Sequence, residues 1–189
     1  MIMTKAKSSI CMTEGRILPN MIRFLLPIML TAMIQKFYHA ADSAVVGRFA
    51  GEAALAGVGA TGAITNLIHN LFFGGAGGVA LVLGWSLGAN DKEEIKKVVH
   101  TAFAMALTFG AVISLIGVVF AEYFLAFTNV NAEIMPHAKI YMQIIFVGKI
   151  PSIIYNFGAA MLRAKGDSER PLRIITVSGI MNIVLNIIF

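Results

Sequence analysis

The sequence predicts an all-α fold, specifically a polytopic membrane helical bundle. Three observations carry the prediction. Of the 189 residues, 58% are hydrophobic and 13% charged, whereas a soluble domain sits near about 45–50% apolar and 25% charged. The apolar residues fall into five long runs, and about 20 residues of helix are enough to cross the hydrocarbon core. Lysine and arginine gather in every second gap between those runs, the bias expected of loops that face the cytoplasm. The runs are too long for barrel strands, and lipid admits no other backbone but helix. The net charge of +5 does not point to nucleic acid, because the basic residues lie in short loops between apolar runs.

Residues 1–17 read as a polar, basic lead-in, "MIMTKAKSSICMTEGRI". It lacks the short apolar core and small-residue cleavage site of a signal peptide, so an uncleaved cytoplasmic segment is expected. Cys11 is the single cysteine, which rules out an internal disulfide framework. Residues 18–189 carry the runs, with helices expected over about 18–46, 53–87, 98–127, 138–162 and 172–189. The first three exceed the bilayer thickness and should tilt, bend or project. Eleven of the 15 basic residues flank the start of the first run, the gap 88–97 and the gap 163–171 with its edge at Arg173. Those segments are expected inside, and "GRFAGEAA" and "FTNVNAEIMPHAK" outside. The last run is still open at Phe189, so a partner half is expected beyond these residues.

The first run is broken by polar groups in "MIQKFYHAADSAVVGRF". Residues three, four and seven apart share a helix face, which places Thr31, Gln35, His39 and Asp42 on one stripe. A carboxylate facing lipid costs roughly 3 kcal/mol by insertion scales, so the stripe should face a bundle interior or a wet cavity. A plain helix-end role for Asp42 is the alternative. Pro27 removes a backbone donor and favours a kink, which makes it a candidate hinge or a static bend. The second run carries Asn66, His69 and Asn70, followed by "GGAGGVALVLG". Small residues let helices approach closely in lipid, and that packing reading is preferred for the glycines. A dinucleotide fingerprint is excluded, because no strand precedes it. The fifth run carries Ser178, Asn182 and Asn186 at steps of four. They either hydrogen-bond between helices or share a cavity with Asp42. No zinc-protease, nucleophile-elbow or P-loop motif occurs, so an enzyme is not expected, and neither is a cofactor.

Four stretches then resemble one family. "RFLLPIMLTAMIQKFYHAADSAVVGRFAGEAALAGVGA" is similar to the first helix and loop of multidrug and toxic compound extrusion transporters, "LGANDKEEIKKVVHTAF" to the loop after helix two, "NFGAAMLRAKGDSERPLRI" to the end of helix four and "MNIVLNIIF" to helix five. The spacing L-R-x-x-G-D-x-x-x-P is the most specific part. Together they cover about residues 20–189 in the right order. The resemblance implies five helices of a six-helix N-lobe, in a twelve-helix antiporter of the cell membrane that exports amphipathic organic cations. The inward flux of protons or sodium ions drives the export. It implies, from the branch named for DNA-damage induction, a coupling-cation site at Asp42, Asn182 and Asn186, with sodium binding at Asp42 as one form of it. Gln35, His39, Asn66, His69, Asn70 and Asn156 are expected to border the substrate cavity. Asn186 departs from the pattern, since many members carry a carboxylate there. Two other readings stand beside it. A lipid-linked oligosaccharide flippase of the same superfamily would need a more cationic cavity, and a truncated membrane protein would not transport.

Overall fold

The computed structural model describes residues 16–49, 52–128, 130, 132 and 134–188, and these are almost entirely helical. The first run is α1 (Ile17–Phe49), the second α2 (Glu52–Gly88). The third divides into α3 (Lys92–Val119) and α4 (Ala121–Phe127), and the fourth into α5 (Met135–Val147) and α6 (Lys149–Ala164). The fifth is α7 (Glu169–Ile188). Among the described residues α1, α2 and α3 are each long and apolar enough to cross a membrane, and the bent pair α5–α6 makes a fourth such segment. Cys11 lies outside the described residues.

Two turns on one side of the bundle are built alike, and they explain the motifs there. At the end of α2, Asn90 takes a left-handed φ of 54°, while the Asn90 and Asp91 amides donate back to the Leu87 and Ser86 carbonyls. At the end of α6, Gly166 takes φ 80°, and the Gly166 and Asp167 amides donate to Arg163 and Leu162. Both are Schellman closures, which need glycine or asparagine at the left-handed position. An aspartate follows at once in each and caps the next helix. Asp91 accepts from the Glu93 and Glu94 amides, so α3 begins at Lys92 rather than at Val98. Asp167 accepts from the Arg170 amide at 3.1 Å and pairs with the Arg170 guanidinium at 2.9 Å. Pro171 falls in the first turn of α7, where a missing amide donor costs little. The Tyr155 hydroxyl donates to the Pro171 carbonyl at 3.1 Å, fastening α6 to that turn.

The core lies where α2, α3 and α6 meet. Phe72 and Ala76 of α2, Ala102 and Ala106 of α3, and Ile153, Phe157 and Ala160 of α6 are all buried there. A second cluster joins α4 and α5 through Ala121, Leu125, Ala138, Met142 and Phe146. The face of α3 that packs inward is Ala102, Ala106, Gly110, Ser114 and Gly117, small residues at helical spacing that let backbones approach. A Cβ on Gly110 would lie 3.3 Å from the Ile150 Cα, and one on Gly117 would overlap the Phe146 ring. The glycine run of α2 differs from its expected packing role. A Cβ on Gly74, Gly77 or Gly78 would have nothing within 4 Å among the described residues. Only Gly75 of that run approaches a neighbour, Phe157 at 3.9 Å.

This contrast yields a prediction. Gly117→Ala should destabilise the bundle by about 1–3 kcal/mol, the usual penalty of overpacking. Gly78→Ala should be neutral, or stabilising by up to about 1 kcal/mol through helix propensity. Thermal melting of both variants in detergent separates the two; equal melting points would mean that the α3–α5 approach is not tight.

Helix α1 runs unbroken through Pro27, whose carbonyl accepts from the Thr31 hydroxyl at 2.8 Å. The break falls at Gly148, where α5 and α6 meet at 42°. Pro151 accounts for it, because its ring removes one amide and crowds the carbonyl four residues back, at Val147.

Candidate functional site

The site is built on the face that α1 turns to α7. Each short loop reverses the chain, so α1 and α7 run parallel. Tyr38 of α1 reaches between them. Its hydroxyl donates to the Ile175 carbonyl at 2.7 Å and accepts from the Gly179 amide. Those two backbone groups are partners within one turn of a regular helix, so the hydroxyl meets α7 at a single turn of its backbone. A Cβ at Gly179 would overlap the Tyr38 ring, and glycine is therefore required for this approach.

The contact fixes the stripe. Thr31 is buried, Gln35, Tyr38 and Asp42 are partly buried, and His39 is exposed. The spacing of the face is thus four, three and four, with Tyr38 in the place expected for His39. The polar pattern does not mark Tyr38; its signal is the distance of three from Gln35 and four from Asp42. One turn beyond the Tyr38–Gly179 contact lie Asp42 on α1 and Asn182 on α7. Both are partly buried, and each interacts with a neighbouring group. Asn186 follows one turn later on α7, but its side chain lies outside the described residues.

Across from α1, the carboxylate of Asp42 acts on the phenol of Tyr141 on α5. Nothing in the sequence singled out Tyr141. Beside them is a hollow of about 220 Å³, lined by Val46, Val58, His137, Ile140, Tyr141 and Ile144. Asp42, Asn182 and these hydroxyls are oxygen donors of the kind a hard cation takes, and Asp42 can also exchange a proton. Among the described residues no group of three or more His, Cys, Asp or Glu is placed to hold a metal ion.

The expected cavity residues divide into two sets. His69 is half-buried on α2 and stacks on Phe73, with ring centres 6.3 Å apart. Asn66 and Asn70 are exposed on α2. Asn156 is buried instead at the α6 core, and its amide donates to the Ser152 carbonyl of its own helix at 2.9 Å. Lys139 and Glu122 pair at 2.6 Å between α5 and α4; an exposed pair of this kind contributes little stability.

An apolar helical bundle with a partly buried acid on the face that α1 turns to α7 is an architecture that suits a membrane transporter domain. The chain belongs to the MatE family: the family profile matches residues 27–188. It is 30% identical over 182 residues to the probable multidrug resistance protein YpnP of Bacillus subtilis, covering 94% of this chain and 40% of that protein. It is 28% identical over 172 residues to a protein of Shewanella oneidensis named FAD transporter, covering 91% of this chain and 37% of the relative. A crystal structure described as MATE in the straight conformation superposes with a TM-score of 0.86 at 25% identity, covering 98% of this chain and 41% of that one. The chain thus spans about 40% of the length of the curated relatives it matches.

Proposed function

We propose that the chain is the N-terminal lobe of a cation-coupled multidrug efflux antiporter of the plasma membrane. In this reading the proton or sodium gradient is exchanged at Asp42, with Asn182 and Asn186 completing the coupling site, and α7 forms the fifth crossing. The observation that carries it is Asp42 itself. It is an ionisable group held inside an apolar span, on the face that packs against α7, with Tyr141 in its field. An ionisable residue within a membrane span is costly and marks an ion pathway by default. The exported molecules are small amphipathic compounds that enter between this lobe and a second, C-terminal one. Alternating access needs one half to rock against the other, and Pro27 is the place where α1 can pivot.

Efflux of a fluorescent dye from cells carrying the complete two-lobed protein tests the reading. Collapse of the proton or the sodium gradient should stop efflux. Transport that persists with both gradients collapsed would overturn coupling. The reading also sets the topology, with residues 1–16 and both Schellman turns facing the cytoplasm. With Cys11 replaced, Lys92→Cys should resist an impermeant thiol reagent on intact cells; labelling from outside would reverse the orientation.

A further inference from the structure

Helix α3 stops at Val119, and the chain restarts as the seven-residue α4. The place of that break follows from length. The charged turns of α3, from Lys92 to Lys97, adjoin the Schellman turn of Asn90 at one membrane surface. The apolar stretch starts at Val98. About 20 residues, at about 1.5 Å each, cross the hydrocarbon, so a slightly tilted α3 leaves it near Val118. Phe120 and α4 therefore stand at the opposite interface. The Glu122–Lys139 pair marks the same level. Its side chains are 60% and 41% exposed, and charges this open need water or headgroups around them. One face of α4 packs inward: Ala121 and Leu125 are buried, and Phe124 stacks on Phe146 of α5 with ring centres 6.5 Å apart. The other face is aromatic. Phe120, Tyr123 and Phe127 follow at steps of three and four, which puts them on one side. They are 46%, 74% and 90% exposed, and the Phe120 and Tyr123 rings lie 6.0 Å apart.

We propose that this face is a lipid anchor. Helix α4 rests in the headgroup and glycerol layer of the leaflet opposite the Schellman turns, and it holds the far end of α3 at that depth. The occupant of the face is phospholipid rather than protein. Aromatic side chains favour this layer, and a tyrosine suits it best because one end of the ring is apolar and the other polar. Three rings present at most about 150–250 Å² each, short of the about 800 Å² per partner that a stable protein interface buries. The Glu122–Lys139 pair, at the same level, keeps the charged edge of α4 toward water while the rings reach the glycerol. The anchor serves in either orientation of the bundle and with either coupling ion.

The test is the depth of a nitroxide label on the chain in phosphatidylcholine vesicles, read from its collisions with oxygen and with a water-soluble nickel chelate. Cys11→Ser is the background. One label is placed by Ala126→Cys, at an exposed position of α4 beside Phe127. A second is placed by Leu107→Cys, at an exposed position in the middle of α3. The Ala126 label should report the glycerol level and the Leu107 label the bilayer centre. Tyr123→Ser combined with Phe127→Ser should raise nickel collisions at Ala126 severalfold, because the rings no longer hold α4 down. Tyr123→Trp combined with Phe127→Trp should keep them low. The tryptophan pair changes the same two positions and retains the anchor, so it separates a lost anchor from a folding defect. An Ala126 label as deep as the Leu107 label would overturn the proposal. So would one shielded from both collision partners, as beneath a second copy or another protein, or nickel collisions that the serine pair leaves unmoved.

Discussion

Asp42→Asn is expected to abolish ion-coupled efflux while leaving the protein inserted and folded. The carboxamide fills nearly the same volume as the carboxylate and still hydrogen-bonds, so the α1–α7 contact at Tyr38 and Gly179 should persist. It cannot change charge, and a charge change is what links an ion gradient to a transported molecule. Coupling free energies between sites run about 1–3 kcal/mol, or roughly 5–150-fold in affinity, and the loss should remove that whole advantage. The measurement is dye efflux across pH, with and without sodium, at matched expression. If Asp42 only ended a helix, asparagine would serve as well, since it is at home in turns and caps. Efflux at the unmodified rate over the entire range would therefore remove Asp42 from the coupling site. Asn186→Asp is the complementary change. Two nearby acids raise one another's pKa or draw in a cation, so it should shift the pH or sodium dependence without stopping transport.

Gly179→Ala should pry α1 from α7. The added methyl would overlap the Tyr38 ring, and the ring is also held by its hydroxyl on the Ile175 carbonyl. Overpacking of this kind costs about 1–3 kcal/mol, with about 1 kcal/mol more for the displaced hydrogen bond. Tyr38→Phe should cost only the second part. Tyr38→Ala makes room for the methyl, so the double variant should melt higher than the two single effects would give if added. Contacting residues couple by about 0.5–3 kcal/mol, and strict additivity would mean that the two side chains do not meet. Efflux in the two-lobed protein should fall in step with the loss of this contact, because Asp42 and Asn182 sit one turn beyond it.

The helices themselves were readable from the sequence, because a helix in lipid satisfies its backbone locally and run length alone reports it. The turns were readable as motifs, and their chemistry is local as well: Asn90-Asp91 and Gly166-Asp167 each close one helix and cap the next. Membership of the MatE family follows from the same linear patterns. Facing was not readable. In a soluble helix the apolar stripe names the inner face, but here the outer face is apolar too, as Leu67, Leu71 and Trp85 show by their exposure on α2. Hence the glycine-rich stretch of α2 suggested close packing, while the packing stripe is on α3. Pro27 and Pro151 look alike as letters, and the α5–α6 bend falls at the second. Tyr38 reads as one more aromatic until α7 supplies Gly179. Tyr38 and Gly179 are 141 residues apart in sequence, and only the packing of α1 against α7 brings the ring to the glycine.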